Sequence, residues 1–153
     1  MASRRRRTRL RNLVATYTDA INRLAVDEAI RTYADESTFT MMDRPTVVGR
    51  DAIEAVLQAT VARYELITQL VHSGVVRLDG DRARARWQVT ELQVMLDGTR
   101  RFVVGRYEDE LARFPEGWRF VGRRFVARYL GDLDLSGPVM ADGPTSFDLW
   151  DQR

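Results

Sequence analysis

"RARARWQVTELQVML", residues 82–96, alternates with a period of two. Arg82, Arg84, Arg86, Gln88 and Thr90 fall on one side, and Ala83, Ala85, Trp87, Val89 and Glu91 on the other. That period is the mark of a β-strand with one face against a core. Three comparable runs surround it: "LITQLVHSGVVRL" (66–78), "RRFVVGRYEDELARF" (100–114) and "GWRFVGRRFVARYL" (117–130). The turns between them are "DGD" at 79–81, "DGT" at 97–99 and "PEG" at 115–117. Asp-Gly between alternating runs is the strongest local hairpin signal, so residues 66–130 read as a long antiparallel meander.

Upstream the period changes to that of a helix. Leu10, Leu13, Val14, Tyr17, Ile21 and Leu24 share one helical face, with Thr16, Asp19 and Arg23 opposite. "VDEAIRTYA" (26–34) predicts a short second helix burying Val26, Ile30 and Tyr33, and "STFTMM" (37–42) a short strand. After a turn at Pro45, a two-residue strand and a break at Gly49, a third helix presents Ile53, Val56, Leu57, Val61 and Tyr64. Asp51 in its first turn suits the helix dipole. Helices first and a meander second make the chain α+β, with the helices packed on one face of a curved, mainly antiparallel sheet. Residues 10–130 form the expected domain, residues 1–9 a disordered arginine-rich arm, and residues 131–153 an extended tail rich in Gly, Pro and Asp.

The composition narrows the chemistry. All 24 basic residues are arginine, and there is no cysteine and a single histidine. Disulfides, thiol nucleophiles and lysine Schiff bases are excluded, and one histidine cannot complete a zinc set. Calcium-loop spacing, a nucleophile elbow and a phosphate loop are all missing, so neither metal nor cofactor is expected. No apolar run approaches 18 residues, and none follows the charged start, which points to a cytoplasmic protein without membrane contact. Arg4, Arg5, Arg6, Arg7, Arg9 and Arg11 leave a body of 18 arginines against 22 acidic residues. Such an arm can neutralise phosphates. With no interleaved aromatics, no recognition helix and an acidic body behind it, nucleic acid is not the expected partner. A solvated tail, or an arm against the acidic C-terminus, remains the other reading.

Four segments in this order resemble the SnoaL-like branch of the nuclear-transport-factor-2-like (NTF2-like) superfamily. They are "YTDAINRLAVDEAIRTYADESTF" (17–39), "VVGRDAIEAVL" (47–57), His72 with "VVRLDGDRARARW" (75–87), and "GRYEDELARFPEGWRFVGRRF" (105–125). The resemblance is to dehydratase-type members such as scytalone and bile-acid dehydratases. It implies a cone in which helices close over a bent sheet around an apolar pocket. It also implies homodimers through the outer sheet face, where Val75, Val103 and Phe125 are the expected apolar contributors.

The resemblance places His72 where those members carry a general base. An imidazole suits that work because it accepts protons near neutral pH. The plainer reading is a core histidine bonded to a backbone carbonyl. The family's partner aspartate falls on Asn22, which can orient the ring but brings no negative charge. Asp19, one turn back, and inward-facing Glu91 are the alternative carboxylates, and each also reads as an ordinary solvated or strand-end residue. Tyr17 is a candidate hydrogen-bond donor to a carbonyl or enolate, and Trp87 and Tyr107 are candidate pocket walls or plain core. Arg123 and Arg124 are candidate anion binders, but alternation turns one of them outward. The favoured function is a cofactor-independent lyase, isomerase or cyclase acting on a hydrophobic, polyketide- or steroid-like molecule. The alternative is a non-catalytic small-molecule-binding or protein-interaction module on the same fold.

Overall fold

Four long strands form the meander that the alternation predicts: β3 (Tyr64–Asp79), β4 (Arg82–Met95), β5 (Arg100–Phe114) and β6 (Gly117–Gly131). The computed structural model describes residues 2–134, so the expected tail lies, beyond Asp134, outside the described residues. Gly80 and Gly98 take φ of 56° and 85° at the first two turns, a region that glycine enters without a Cβ penalty. β1 (Tyr33–Met41) pairs parallel with β6 and antiparallel with the short β2 (Val47–Val48). The six-stranded curved sheet therefore runs β2-β1-β6-β5-β4-β3, and β3 is a free edge. β1 begins earlier than the sequence predicts, because an irregular register between Tyr33 and Thr38 lets Asp35 and Glu36 turn to solvent.

Strand β4 alternates without a break along its length, and Ala83, Ala85, Trp87, Val89, Glu91 and Met95 are buried on its inner face. Helices cover that face. α1 (Ala2–Asn22) buries Leu10, Val14, Tyr17 and Ile21, and α3 (Arg50–Val61) buries Ile53 and Leu57. Each such side chain contributes about 1.5–3 kcal/mol on leaving water. α2 (Val26–Ala29) and the 3-10 turn Ile30–Thr32 lead straight into β1.

Two expectations are corrected here. The arginine-rich start is not a disordered arm, since α1 is helical from Ala2. Six arginines with no acidic residue oppose the dipole at that end. Arg6 Nη1 donates to Gly80 O at 2.8 Å and Arg7 Nη1 to Val76 O at 2.5 Å, tying these turns to the β3–β4 hairpin. In addition, Val103 and Phe125 do not lie on the outer face. Both are buried on the inner face, while Val75 is exposed.

One irregularity lies beside a residue singled out from the sequence. Between Val71 and Gly74, β3 spends three steps where β4 spends two, from Val89 to Trp87. A Cβ at Gly74 would lie 2.1 Å from Trp87 Cε3, so the indole occupies the space a side chain would need. The bulge thus has one extra residue: His72 and Ser73, both exposed, stand against the single residue Gln88.

Candidate functional site

A cavity of about 110 Å³ lies between α1, α3 and the inner sheet face, with Tyr17, Ile21, Phe39, Leu57 and Ile67 among its walls. Its polar centre is built across two strands. Gln69 of β3 stands opposite Glu91 of β4, and Gln93 follows two residues on, on the same face. Gln69 Nε2 donates to Glu91 Oε1 at 2.7 Å, and Gln93 Nε2 donates to Oε2 at 2.7 Å. Gln69 Nε2 also donates to the Tyr107 hydroxyl at 3.0 Å.

Glu91 is 5% exposed. Burial raises its pKa above the ordinary carboxyl value, and the two amide donors only partly oppose the shift. Among the described residues no guanidinium pairs with it, which sets it apart from the other buried acids. Glu108 pairs with Arg106 at 2.9 Å, and Asp109 with Arg123 at 2.8 Å. A buried carboxyl without a counter-ion, held only by neutral donors, can both take and return a proton. Burial also raises the pKa of Tyr17, Tyr64 and Tyr107. At neutral pH these phenols are protonated and serve the cavity as hydrogen-bond donors.

The remaining residues predicted for the site are dispersed. His72 Nε2 is bonded to Thr90 Oγ1, and Thr90 belongs to the outward-facing set of β4. The expectation that the imidazole enters the helix–sheet cavity is therefore corrected: Ile67 and Gln69 face inward, and plain alternation from them turns His72 out. With Asp19, Asn22 and Trp87, His72 borders only a separate shallow groove beside α1. Asp19 is exposed and pairs with Arg23 at 2.9 Å. Asn22 is bound to the backbone of Gln69, accepting from its N–H at 2.6 Å and donating to its carbonyl at 3.1 Å. Neither residue orients the imidazole.

Trp87 does not line the cavity but is buried under the bulge. Arg123 is the inward member of its pair, and Arg124, opposite Glu108, faces out. Arg123 is fully buried below the cavity floor rather than open to a ligand. Its guanidinium carbon lies 3.8 Å from the Tyr107 ring centre, 4.1 Å from Phe120 and 4.4 Å from Tyr17. It supports the two tyrosines that do line the cavity, a cation–π arrangement strengthened by the absence of water.

Of the predicted residues, the structure thus brings Tyr17, Glu91 and Tyr107 together at the cavity. Gln69, Gln93 and Tyr64 were missed. The signal for Gln93 was present, because the alternation that turns Glu91 inward does the same for the residue two further on. Polar residues on the core face of a strand mark a site or a buried network.

Helices closed over a bent sheet around a partly polar cavity define an α+β cone of the NTF2-like type. A family model described as "SnoaL-like domain" matches residues 2–124, and the chain belongs to that family. Among solved structures it is similar to the Kfla4162 protein of Kribbella flavida, with a TM-score of 0.79 and 23% identity over 87% of this chain and 97% of that one. It is also similar to a candidate scytalone dehydratase of Novosphingobium aromaticivorans, with a TM-score of 0.78 and 12% identity over 90% and 94% of the two chains. Hexachlorocyclohexane dehydrochlorinase LinA-type3 of Novosphingobium barchaimii gives a TM-score of 0.76 and 14% identity over 90% and 94%. At these identities the likeness is one of fold. No curated protein matches the sequence significantly.

Proposed function

We propose that the protein is a cofactor-independent lyase, isomerase or cyclase acting on a hydrophobic small molecule, with Glu91 as the proton-transferring group. The observation that carries this reading is the buried, cation-free Glu91 carboxyl inside a mostly apolar cavity. In this scheme the carboxylate removes a proton from carbon next to an electron-withdrawing group and returns it elsewhere, or to a leaving group. Tyr17 or Tyr107 donates to the oxygen on which charge develops. Gln69 and Gln93 fix the carboxyl plane, so little reorganisation accompanies the transfer. Two of the similar structures bear the names of a candidate dehydratase and a dehydrochlorinase, and names of that kind denote eliminations, which supports the reading.

The test is a generic proton-abstraction substrate, 5-nitrobenzisoxazole. A base removes its ring C–H as the N–O bond breaks, leaving a coloured phenolate. The wild type is expected to accelerate the opening over buffer, and Glu91→Gln to lose about a hundredfold or more of that rate. A rate unaffected by Glu91→Gln overturns the assignment. If Glu91→Gln binds small ligands as the wild type does, and neither protein turns any over, the binding-module reading takes its place.

We propose further that two copies associate through the outer sheet face. Leu66, Leu70 and Leu92 lie there, 49%, 46% and 42% exposed on neighbouring strands. A contiguous apolar patch of this kind is costly to leave in water. Sedimentation of a monomer at micromolar concentration removes this claim.

A further inference from the structure

Three arginines gather at the solvent-exposed end of the cavity, and among the described residues none of them forms an ion pair. Arg44, Arg63 and Arg101 all line the cavity, Arg44 and Arg63 as exposed residues and Arg101 as a half-buried one. They come from three separate parts of the chain. Arg44 sits on the turn after β1, which is anchored by Met42 N–H on Phe125 O at 2.8 Å. Arg63 lies in the short link between α3 and β3, and its carbonyl accepts the Leu96 N–H at 2.9 Å. Arg101 stands on the inner face of β5 opposite Gln93, two residues before Val103, the partner of Glu91.

Many other arginines of the body are spent on carboxylates. Arg23, Arg50, Arg113 and Arg123, among others, form ion pairs at 3.3 Å or closer. Among the described residues, Arg44, Arg63 and Arg101 form none. Of the acids near them in sequence, Asp97 accepts the Thr99 N–H at 2.8 Å and feels Arg101 and Arg63 without pairing with either, and Asp43 and Glu65 are exposed. All three guanidiniums act on the same hydroxyl, that of Tyr64, whose pKa they pull down against burial and Glu91. Among the described residues none of the three pairs with Glu91. The cavity is thus polarised, with a cationic mouth, apolar walls and a cation-free carboxyl at the inner end.

We infer that the ligand of this cavity is an apolar molecule bearing a terminal carboxylate, held at the mouth by Arg44, Arg63 and Arg101 while its far end reaches Glu91. The inference rests on the acid–base reading of Glu91 only for which end of the ligand reacts. An acid entering head first would bring its charge against Glu91, whereas one entering tail first leaves its charge among three cations. Polarity therefore selects a single orientation. Gln93, the partner of Arg101, is two residues from Glu91, about 7 Å at the rise of an extended strand. The reacting carbon should accordingly lie roughly one ring and a short chain from the carboxylate. Guanidinium forks suit a planar two-oxygen anion of this kind.

The probe pair is 3-phenylpropanoate and its neutral amide, titrated calorimetrically into the full chain at low salt. The carboxylate is expected to bind at least tenfold more tightly than the amide. This preference should disappear in the variant Arg44→Gln/Arg63→Gln/Arg101→Gln, and also in the wild type when salt is raised to screen the mouth. Because the salt series uses unaltered protein, it decides the matter even if the triple variant folds poorly. Equal binding of acid and amide, a preference that survives high salt, or no binding of the acid overturns the inference. 5-Nitrobenzisoxazole is neutral, so its turnover stands or falls with Glu91 alone, and the two readings fail separately.

Discussion

The side-chain amide of Asn22 completes the backbone hydrogen bonding of Gln69. It accepts the Gln69 N–H at 2.6 Å and donates to the Gln69 carbonyl at 3.1 Å. β3 is an edge strand of the sheet, so these two groups would otherwise lack a strand partner. The last residue of α1 thereby fastens the helix to the strand carrying Gln69, whose own side chain holds Glu91 and Tyr107.

Only an amide can donate and accept in this way. Asn22→Asp should therefore cost about 1–3 kcal/mol in urea denaturation, because the Gln69 carbonyl would face a carboxylate. It should also fail to raise the opening rate of 5-nitrobenzisoxazole, contrary to what a histidine–aspartate pair at these positions would give. An equally stable or more active Asn22→Asp protein would show that the clamp has been misread.

Glu91 links stability to pH. Its folded pKa is raised by burial, so the folded state holds the proton more tightly than the unfolded state. The stability this brings is complete below the ordinary carboxyl value of 4.5 and is lost as pH rises through the raised folded value. The melting temperature of the wild type should therefore fall relative to Glu91→Gln as pH climbs from 4 towards neutrality. Over the same window the opening rate should rise, since the base is the ionised form. Parallel melting curves at every pH would contradict both effects.

His72 bonds to Thr90 at the exposed outer surface of the sheet. His72→Ala should leave the 5-nitrobenzisoxazole rate within about twofold of wild type and change stability by no more than about 1 kcal/mol. A large drop in rate with intact folding would return the histidine to the centre of the chemistry.

Arg123 and Asp109 are both shut away from solvent, with the guanidinium among three aromatic rings. Asp109→Asn strands a buried cation and should cost about 3–5 kcal/mol in chemical denaturation. The double change Asp109→Asn/Arg123→Met should cost less than the sum of the two single changes, because it removes the cation together with its partner. Additive losses would mean that the pair is not coupled as the geometry indicates.

The α+β class, the four-strand meander and its Asp-Gly turns were legible in the sequence because they depend on short-range period and turn chemistry. The inward direction of Glu91 followed from the same alternation, unbroken along β4. Where alternation is interrupted, the sequence misleads. The bulge before Gly74, where the Trp87 ring fills the place of a side chain, moves the inward set from Ile67 and Gln69 to Gly74 and Val76, so alternation counted back from Val76 places His72 on the wrong face. The role of Asn22 likewise required knowing that β3 is the sheet edge, a fact of strand order rather than of local pattern. The contacts of Arg6 and Arg7 with carbonyls of the β3–β4 hairpin, some seventy positions away, are also invisible to a local pattern. Local periodicity thus determined which segments are strands and helices. Long-range packing decided which side chains meet, and it joined Glu91 to Gln69 and Tyr107 while leaving the histidine apart.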